Sequence, residues 1–232
     1  MNERKALVVL SGGQDSVTCL AWALHAFDEV EAITFLYGQR HEVELQCARG
    51  VCQTMGVKQK VVDMSFLKDI STSALTGTGA IGAAHALRDD LPASFVPNRN
   101  ALFMTAAHAW AQTIGAFNVV TGVCQTDYSG YPDCREEFIA SLNNTLDLGA
   151  AKAALFHAPL MHLTKAETFA LAHELGALDT VIEMSHTCYE GERTVRHAWG
   201  YGCGECPACK LRAKGYEEFL EWKASVENVA SV

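Results

Sequence analysis

Six residues near the start of the chain, Ser11-Gly-Gly-Gln-Asp-Ser16, have the types and spacing to bind phosphate. They stand between an apolar run, Ala6–Leu10, and an amphipathic stretch. Gly12 and Gly13 permit positive φ and let a ligand approach the backbone. The helix that follows offers unpaired N–H groups and a partial positive charge, which together attract phosphate. Ser11 and Ser16 can add hydroxyl donors. Asp15 would repel a bare phosphate, but it fits if it holds Mg²⁺ that bridges to the phosphate oxygens. The stretch matches neither G-x-G-x-x-G nor G-x-x-x-x-G-K-[ST]. The plain alternative is a glycine turn without a ligand.

A second constellation is Cys188, Cys203, Cys206 and Cys209, within 22 residues. The last three read Cys-Gly-Glu-Cys-Pro-Ala-Cys, two Cys-x-x-Cys steps sharing Cys206. Four thiolates in a tetrahedron suit Zn²⁺, one ion per chain, and fill its coordination, so such a site is closed and structural. A redox dithiol and an iron–sulfur cluster are the alternatives. His186 and His197 flank the cluster and either can replace a cysteine, but both read as surface residues. Cys19, Cys47 and Cys52 fall in expected helices and read as buried, inert thiols. Cys124 and Cys134 complete the nine.

Further along, Phe95-Val-Pro-Asn-Arg-Asn100 precedes an uncharged helical stretch. Asn98 can cap that helix. Arg99 is a cation entering it and calls for a phosphate or carboxylate partner. The segment from Thr121 to Arg135 follows an expected strand, where ligands of open α/β sheets bind. Its Tyr128 and Tyr131 can stack on a planar ring, with Ser129 between them. Asp127 and Asp133 can accept from ring N–H groups, and Arg135 can pair with a carboxylate; a turn with solvated charges is the alternative. Lys165, at a helix start, suits an anion but can equally be solvated, and Tyr189 reads as packing.

The elements that must position these residues alternate. Strands are expected at Ala6–Leu10, Val30–Tyr37, Val57–Val62, Asn118–Val123 and Leu155–Ala158. Helices are expected at Asp15–Phe27, Glu42–Met55, Asn100–Ile114, Arg135–Leu148 and Leu163–Leu175. Gly56 and Gly115 terminate two of them, and Thr164 with Glu167 forms a capping box. Alternation with apolar strands predicts an α/β fold, a Rossmann-like parallel sheet with helices on both faces. Residues 1–232 read as one domain, with 185–226 as a zinc-binding segment and terminal helix that starts near Lys210. Residues 68–98 lack periodicity, which suits either an active-site lid or a surface excursion.

Composition narrows the classes. With 49% hydrophobic and 19% charged residues, the chain is not a disordered one. A net charge of −9 disfavours a nucleic-acid partner. The stretch from Asn100 to Thr126 lacks Asp, Glu, Lys and Arg but is too polar to span a membrane. The apolar run before Ser11 is too short for a signal peptide, so the nine cysteines suggest a reducing, cytoplasmic setting.

The Ser-Gly-Gly-x-Asp-Ser motif after an N-terminal strand resembles the PP-loop of ATP pyrophosphatases, whose fold is adenine nucleotide α-hydrolase-like. With Phe95–Asn100, Asp127–Arg135, Leu163-Thr-Lys165 and the four cysteines, nearly the whole chain resembles the 7-cyano-7-deazaguanine synthase family. The resemblance implies an ATP-dependent carbon–nitrogen ligase acting on 7-carboxy-7-deazaguanine and ammonia in queuosine biosynthesis. It implies adenylation of the carboxylate, amide formation, and dehydration to the nitrile. It assigns ATP with Mg²⁺ to Val9, Leu10, Ser11, Gly12, Gly13, Gln14, Asp15, Ser16, Val17, Thr18 and Cys19. It assigns chemistry to Asp15, Ser16, Arg99 and Lys165, and the deazapurine to Asn98, Arg99, Asp127, Tyr128, Ser129, Tyr131, Asp133 and Arg135. Small-molecule substrates are then the partners, and a homodimer stays open. The alternatives are a tRNA thiolase of the same superfamily, a synthetase that stops at the amide, and a non-enzymatic nucleotide-binding module.

Overall fold

A computed structural model describes residues 4–38, 43–70, 84–85, 88–92, 95–126 and 131–230. In chain order these form β1 (Lys5–Val9), α1 (Gln14–Ala26), β2 (Glu29–Leu36), α2 (Val43–Met55), β3 (Lys58–Asp63) and α3 (Leu67–Ile70). A hairpin of β4 (Ala84–His85) and β5 (Arg88–Pro92) leads to α4 (Arg99–Ile114) and β6 (Asn118–Val120). A 3-10 turn, Pro132–Cys134, then precedes α5 (Glu136–Leu148), β7 (Leu155–His157), α6 (Lys165–Glu174) and α7 (Leu178–Met184). A small hairpin of β8 (Arg196–His197) and β9 (Gly200–Tyr201) and the long α8 (Pro207–Ala230) end the chain.

The main sheet has five parallel strands in the order β3-β2-β1-β6-β7. Side chains alternate across it, as the period of a strand requires. Ala6, Val8 and Ala32 face a core shared with α1, α2, α6, α7 and α8. Leu7, Ile33, Phe35 and Val119 face a second core shared with α4 and α5. Both faces are thus covered, and the expected Rossmann-like parallel sheet is what forms.

Several boundaries differ from the sequence reading. The fourth sheet strand ends at Val120, three residues early, because the chain bends away there to line a cavity. Edge strand β3 (KQKVVD) is half exposed rather than continuously buried, since a strand with one neighbour needs only one apolar face. The last helix starts at Pro207, inside the cysteine cluster, and the proline occupies a first-turn position where no N–H is needed. Of residues 68–98, only α3 and the backbone of the β4–β5 hairpin lie within the described part, together with Phe95 to Asn98.

Strand order places the site. The chain runs from β1 to β2 and β3 on one side, then returns to β6 and β7 on the other. The carboxyl ends of β1 and β6 therefore flank the switch point, where such sheets leave a crevice.

Candidate active site

That crevice holds a cavity of about 360 Å³, lined from one side by the turn after β1 and from the other by Thr121–Cys124 after β6. Gly12 adopts φ +92°, a left-handed conformation. A Cβ there would lie 2.3 Å from the Glu44 carbonyl oxygen and 2.9 Å from the Ala48 nitrogen, so only glycine lets α2 pack against the turn. The Ser16 hydroxyl fills the turn from within. It accepts from the backbone N–H groups of Ser11 (3.2 Å) and Gly12 (3.1 Å) and donates to the Gly13 carbonyl (2.9 Å). The Ser11 hydroxyl accepts from Gly13 N–H at 3.2 Å. These hydroxyls shape the loop, and Ser16 is a positioning residue in this geometry. Among the described residues no side chain caps α1, so its first N–H groups are left for a ligand. At Gly122 a Cβ would sit 3.1 Å from the Ser16 nitrogen, so this glycine keeps the helix start clear.

Asp15, in the first turn of α1, accepts both contacts of Lys165 Nζ, at 2.9 and 3.0 Å. Lys165 is the first residue of α6. The Thr164–Glu167 capping box fixes its start, with Glu167 N–H donating to Thr164 Oγ1 at 3.2 Å and Thr164 N–H to Glu167 Oε2 at 2.7 Å. Gly215 of α8 allows the close approach, since a Cβ there would lie 2.6 Å from Lys165 Cβ. Gln14 lines the same wall. It is 2% exposed, and neither polar atom of its amide has a hydrogen-bond partner among the described residues. An unmade buried hydrogen bond costs about 1–3 kcal/mol, so a polar ligand group would relieve this amide.

The opposite wall brings Arg99 between Tyr37 and Tyr131, its guanidinium 5.5 and 5.9 Å from their ring centres. Arg99 Nη1 donates to the Tyr37 hydroxyl at 3.5 Å. Burial works against the Arg99 charge, but Tyr37, Tyr131 and Asp133 outweigh it and raise its pKa. Burial pushes the Tyr37 phenol up to about 12. Glu44 of α2 belongs to this wall too; burial lifts its carboxyl to about 7, against the pull of Arg99.

Three sequence expectations are corrected here. Asn98 adopts φ 57° and caps nothing with its side chain. The cap comes instead from Asp133, whose carboxylate accepts from Asn100 N–H at 3.0 Å and is 4% exposed. Asp133 therefore seats α4 and does not line the cavity. Arg135 also lies off the cavity, with a 58% exposed side chain 3.8 Å from Glu137, because α5 begins just there and carries it to the surface. Asp127, Tyr128 and Ser129 lie outside the described residues. Val9, Ser11, Gly13, Gln14, Asp15 and Ser16 line the cavity, whereas Leu10, Gly12, Val17, Thr18 and Cys19 are buried behind it. Burial pushes the Cys134 thiol to about 12, with Asp133 adding to the effect, so it stays protonated.

Behind the loop stands the cysteine segment. The four Sγ atoms lie within 4.8 Å of one another, with Cys203 and Cys209 at 3.9 Å. Zinc–sulfur bonds of about 2.3 Å in a tetrahedron would set sulfurs about 3.8 Å apart, so the donor set fits a metal ion. Burial would raise the Cys203 thiol, but N–H groups of Cys206 (3.3 Å) and Glu205 (3.4 Å) donate to it and bring it down to about 7. His186 is not at the surface as expected. It is 1% exposed, and its backbone N–H donates to the Gly12 carbonyl at 2.9 Å, clamping the loop. His197 stacks on Trp199 at 4.4 Å. Tyr189 lines the cavity as well as packing against the cluster.

Sequence reasoning missed Tyr37, Glu44 and Arg212. Arg212 is 1% exposed and donates to Trp199 O, Thr187 Oγ1 and Val181 O, each at 2.9 Å. Burial lowers its pKa to about 10, while Asp15 pulls the other way. It carries positive charge to the cavity wall without a carboxylate contact among the described residues. A lone Arg or Glu in an amphipathic helix gives no local sign of this.

A sequence model of the family described as Queuosine biosynthesis protein QueC matches residues 5–220. A 7-cyano-7-deazaguanine synthase of Wolinella succinogenes is 54% identical over 221 residues, 94% of this chain and 95% of its own. One from Bacillus subtilis is 49% identical over 223 residues, 96% and 98% of the two chains. Among solved structures, a 4-thiouridine synthetase in complex with RNA and bound ATP superposes with a TM-score of 0.52 at 16% identity. The likeness covers 97% of this chain and 52% of that longer one, and it is one of fold. No helix among the described residues is long and apolar enough to cross a membrane. The fold is a Rossmann-like parallel α/β fold, and the chain belongs to the QueC family of queuosine biosynthesis enzymes.

Proposed function

We propose that this QueC family member uses ATP to convert 7-carboxy-7-deazaguanine and ammonia into 7-cyano-7-deazaguanine. The observation that carries the reading is the uncapped start of α1, with Asp15 and Lys165 paired at 2.9 Å at its edge and the unpartnered Gln14 amide beside it. Together they make a cradle for a polyphosphate. The first N–H groups of α1 would hold phosphate oxygens. Arrival of Mg²⁺ and ATP would divide the existing ion pair, Asp15 supporting the cation and Lys165 turning to a phosphate. When bound, Mg²⁺ neutralises phosphate charge as the α-phosphorus is attacked.

Arg99, between Tyr37 and Tyr131, would take the substrate carboxylate, and the tyrosine rings would stack the planar heterocycle. A carboxylate is a poor electrophile, and adenylation turns one of its oxygens into part of a leaving group. Ammonia displaces AMP to give the amide; a second adenylation, on the amide oxygen, followed by elimination of AMP, leaves the nitrile. The enzyme's part is alignment of the acid oxygen with the α-phosphorus and stabilisation of the charge that develops. Adenylate chemistry needs no protein nucleophile, in keeping with the protonated Cys134. We assign Zn²⁺ to the four cysteines as a closed structural ion that steadies the segment behind the loop. Small-molecule partners suit the net charge of −9, and nine free cysteines suit the cytoplasm.

The test is incubation with ATP, Mg²⁺, ammonium and the carboxylate, with products read by mass spectrometry. The nitrile and AMP are expected. Accumulation of the amide without the nitrile would reassign the chain to a synthetase that stops halfway. Absence of any AMP would end the reading.

A further inference from the structure

The proposed reaction consumes ammonia, and the described cavity wall offers one carboxylate to meet it. Asp15 is engaged by Lys165, and Asp133 is committed to the start of α4. Glu44 is half-buried and lines the cavity, and its carboxyl makes no hydrogen bond or ion pair with any described residue. Its backbone is fixed against the phosphate loop, since its carbonyl is the group a Cβ at Gly12 would strike. Its backbone thus belongs to the loop end of the cavity, while its carboxyl is close enough to Arg99 to feel that charge. The groups that face it are Arg99 on α4, Tyr37 after β2, Tyr189 beyond α7 and, on its own helix, Cys47.

We propose that Glu44 is a catalytic residue that receives ammonium beside the acyl adenylate and takes one proton from it. The inference rests on the reaction proposed above. Ammonium has no lone pair and cannot attack. Transfer of one N–H proton to a Glu44 oxygen leaves neutral ammonia. Its lone pair forms the C–N bond as the bond between the acyl carbon and the adenylate oxygen breaks, and that electron pair leaves with AMP. The nitrogen sheds one further proton, to the departing phosphate or to water, and the neutral amide results.

Two features of the site favour this direction of transfer. A half-buried site disfavours a pair of separate charges and so favours acid plus ammonia over carboxylate plus ammonium. The neighbouring Arg99 cation opposes an ammonium ion beside it, while its pull on the Glu44 carboxylate is outweighed by burial. A carboxyl that titrates near neutrality is populated in both forms at the working pH, as a proton acceptor that must be recycled requires.

The variant Glu44→Gln keeps the shape and removes the base; Glu44→Asp keeps the base and shortens the reach. Two rates separate the roles. Carboxylate-dependent ATP–pyrophosphate exchange reports adenylation without ammonium, and amide formation against ammonium concentration reports the second step. For Glu44→Gln we expect exchange to persist and amide formation at pH 7 to fall at least tenfold. The deficit should narrow towards pH 9, where the solution itself supplies free ammonia, and Glu44→Asp should fall between the two. A wild-type ammonium dependence at pH 7, or a deficit that does not narrow with pH, would overturn the proposal. Should Glu44→Gln lose exchange as well, Glu44→Asp decides. Loss of exchange there too overturns the ammonia role, and retained exchange with a selective ammonium defect supports it. Absence of exchange in the unaltered enzyme would instead remove the reaction on which the inference rests.

Discussion

The two ends of the cavity are built on different principles. At the loop end, Ser11, Gly12, Gly13 and Ser16 satisfy one another within one short turn. The Ser11 and Ser16 hydroxyls accept three backbone N–H groups, and Gly12 accepts the backbone of α2 at its side. This end is a rigid backbone form with charge set at its edge by the Asp15–Lys165 pair. At the other end Tyr37, Glu44, Arg99 and Tyr131 come from four separate parts of the chain. A 3.5 Å hydrogen bond and a cation–ring contact at 5.5 Å join Arg99 to Tyr37, and the titration of Tyr37, Glu44 and Arg99 is set by burial and by one another. Phosphate geometry is the same in every turnover, so a fixed form serves it. A group that must take up and lose protons needs a tuned environment instead.

The largest expected effect lies at the loop end. Asp15→Asn preserves size while removing the charge that balances Lys165 and would support the cation. Carboxylate-dependent pyrophosphate release should fall by about 10²–10³-fold or more, the scale seen when a preorganised electrostatic group is removed. Melting should change little. Release within a few-fold of the unaltered enzyme would show that the charge pair is not part of the cradle and would erase the contrast between the two ends.

Next in size is Cys206→Ser. The cysteine segment buttresses the loop through His186, whose N–H holds Gly12, and through Arg212, whose guanidinium ties Thr187 to Trp199. Metal binding is folding energy in such a site, so the variant should lose its zinc and about 3 kcal/mol, roughly 6–12 °C of melting temperature. Nucleotide affinity should weaken, since the lost support stands behind the loop and not behind Arg99. Unchanged metal content by elemental analysis would refute the four-thiolate site.

The same contrast explains what was legible in the sequence. The loop could be read because its function is local: Ser11, Gly12, Gly13, Asp15 and Ser16 are neighbours, and so are three of the four cysteines. The sheet could be read because apolar runs between amphipathic helices leave few other ways to bury both faces. Glu44 and Arg212 could not be read, because each looks like an ordinary charge on a helix until α2 and α8 are folded against the loop. Asp133 misled for the opposite reason. Its place after β6 suggested a ligand contact, but the free N–H of Asn100 claimed it first. Arg135 misled because it stands at the N-cap of α5, where its side chain meets Glu137 at the surface and not the cavity.

The smallest expected effect is the most specific to the tuned end. The Glu44 carboxyl rises from an ordinary 4.5 to about 7 in the fold, through burial opposed by Arg99. Between those values the unfolded chain gives up this proton while the folded chain keeps it. The folded state then binds more protons, so stability falls as pH rises through this window. The contribution is fully present below about 4.5 and is gone above about 7. Glu44→Gln has no proton to lose there, and every other titrating group is common to both proteins. Melting temperatures at pH 5 and pH 8 should therefore move against the unaltered chain, relative to Glu44→Gln, by a few degrees. Parallel melting curves would mean that Glu44 ionises like a surface carboxylate, and the wall beside Arg99 would then be no more tuned than the loop.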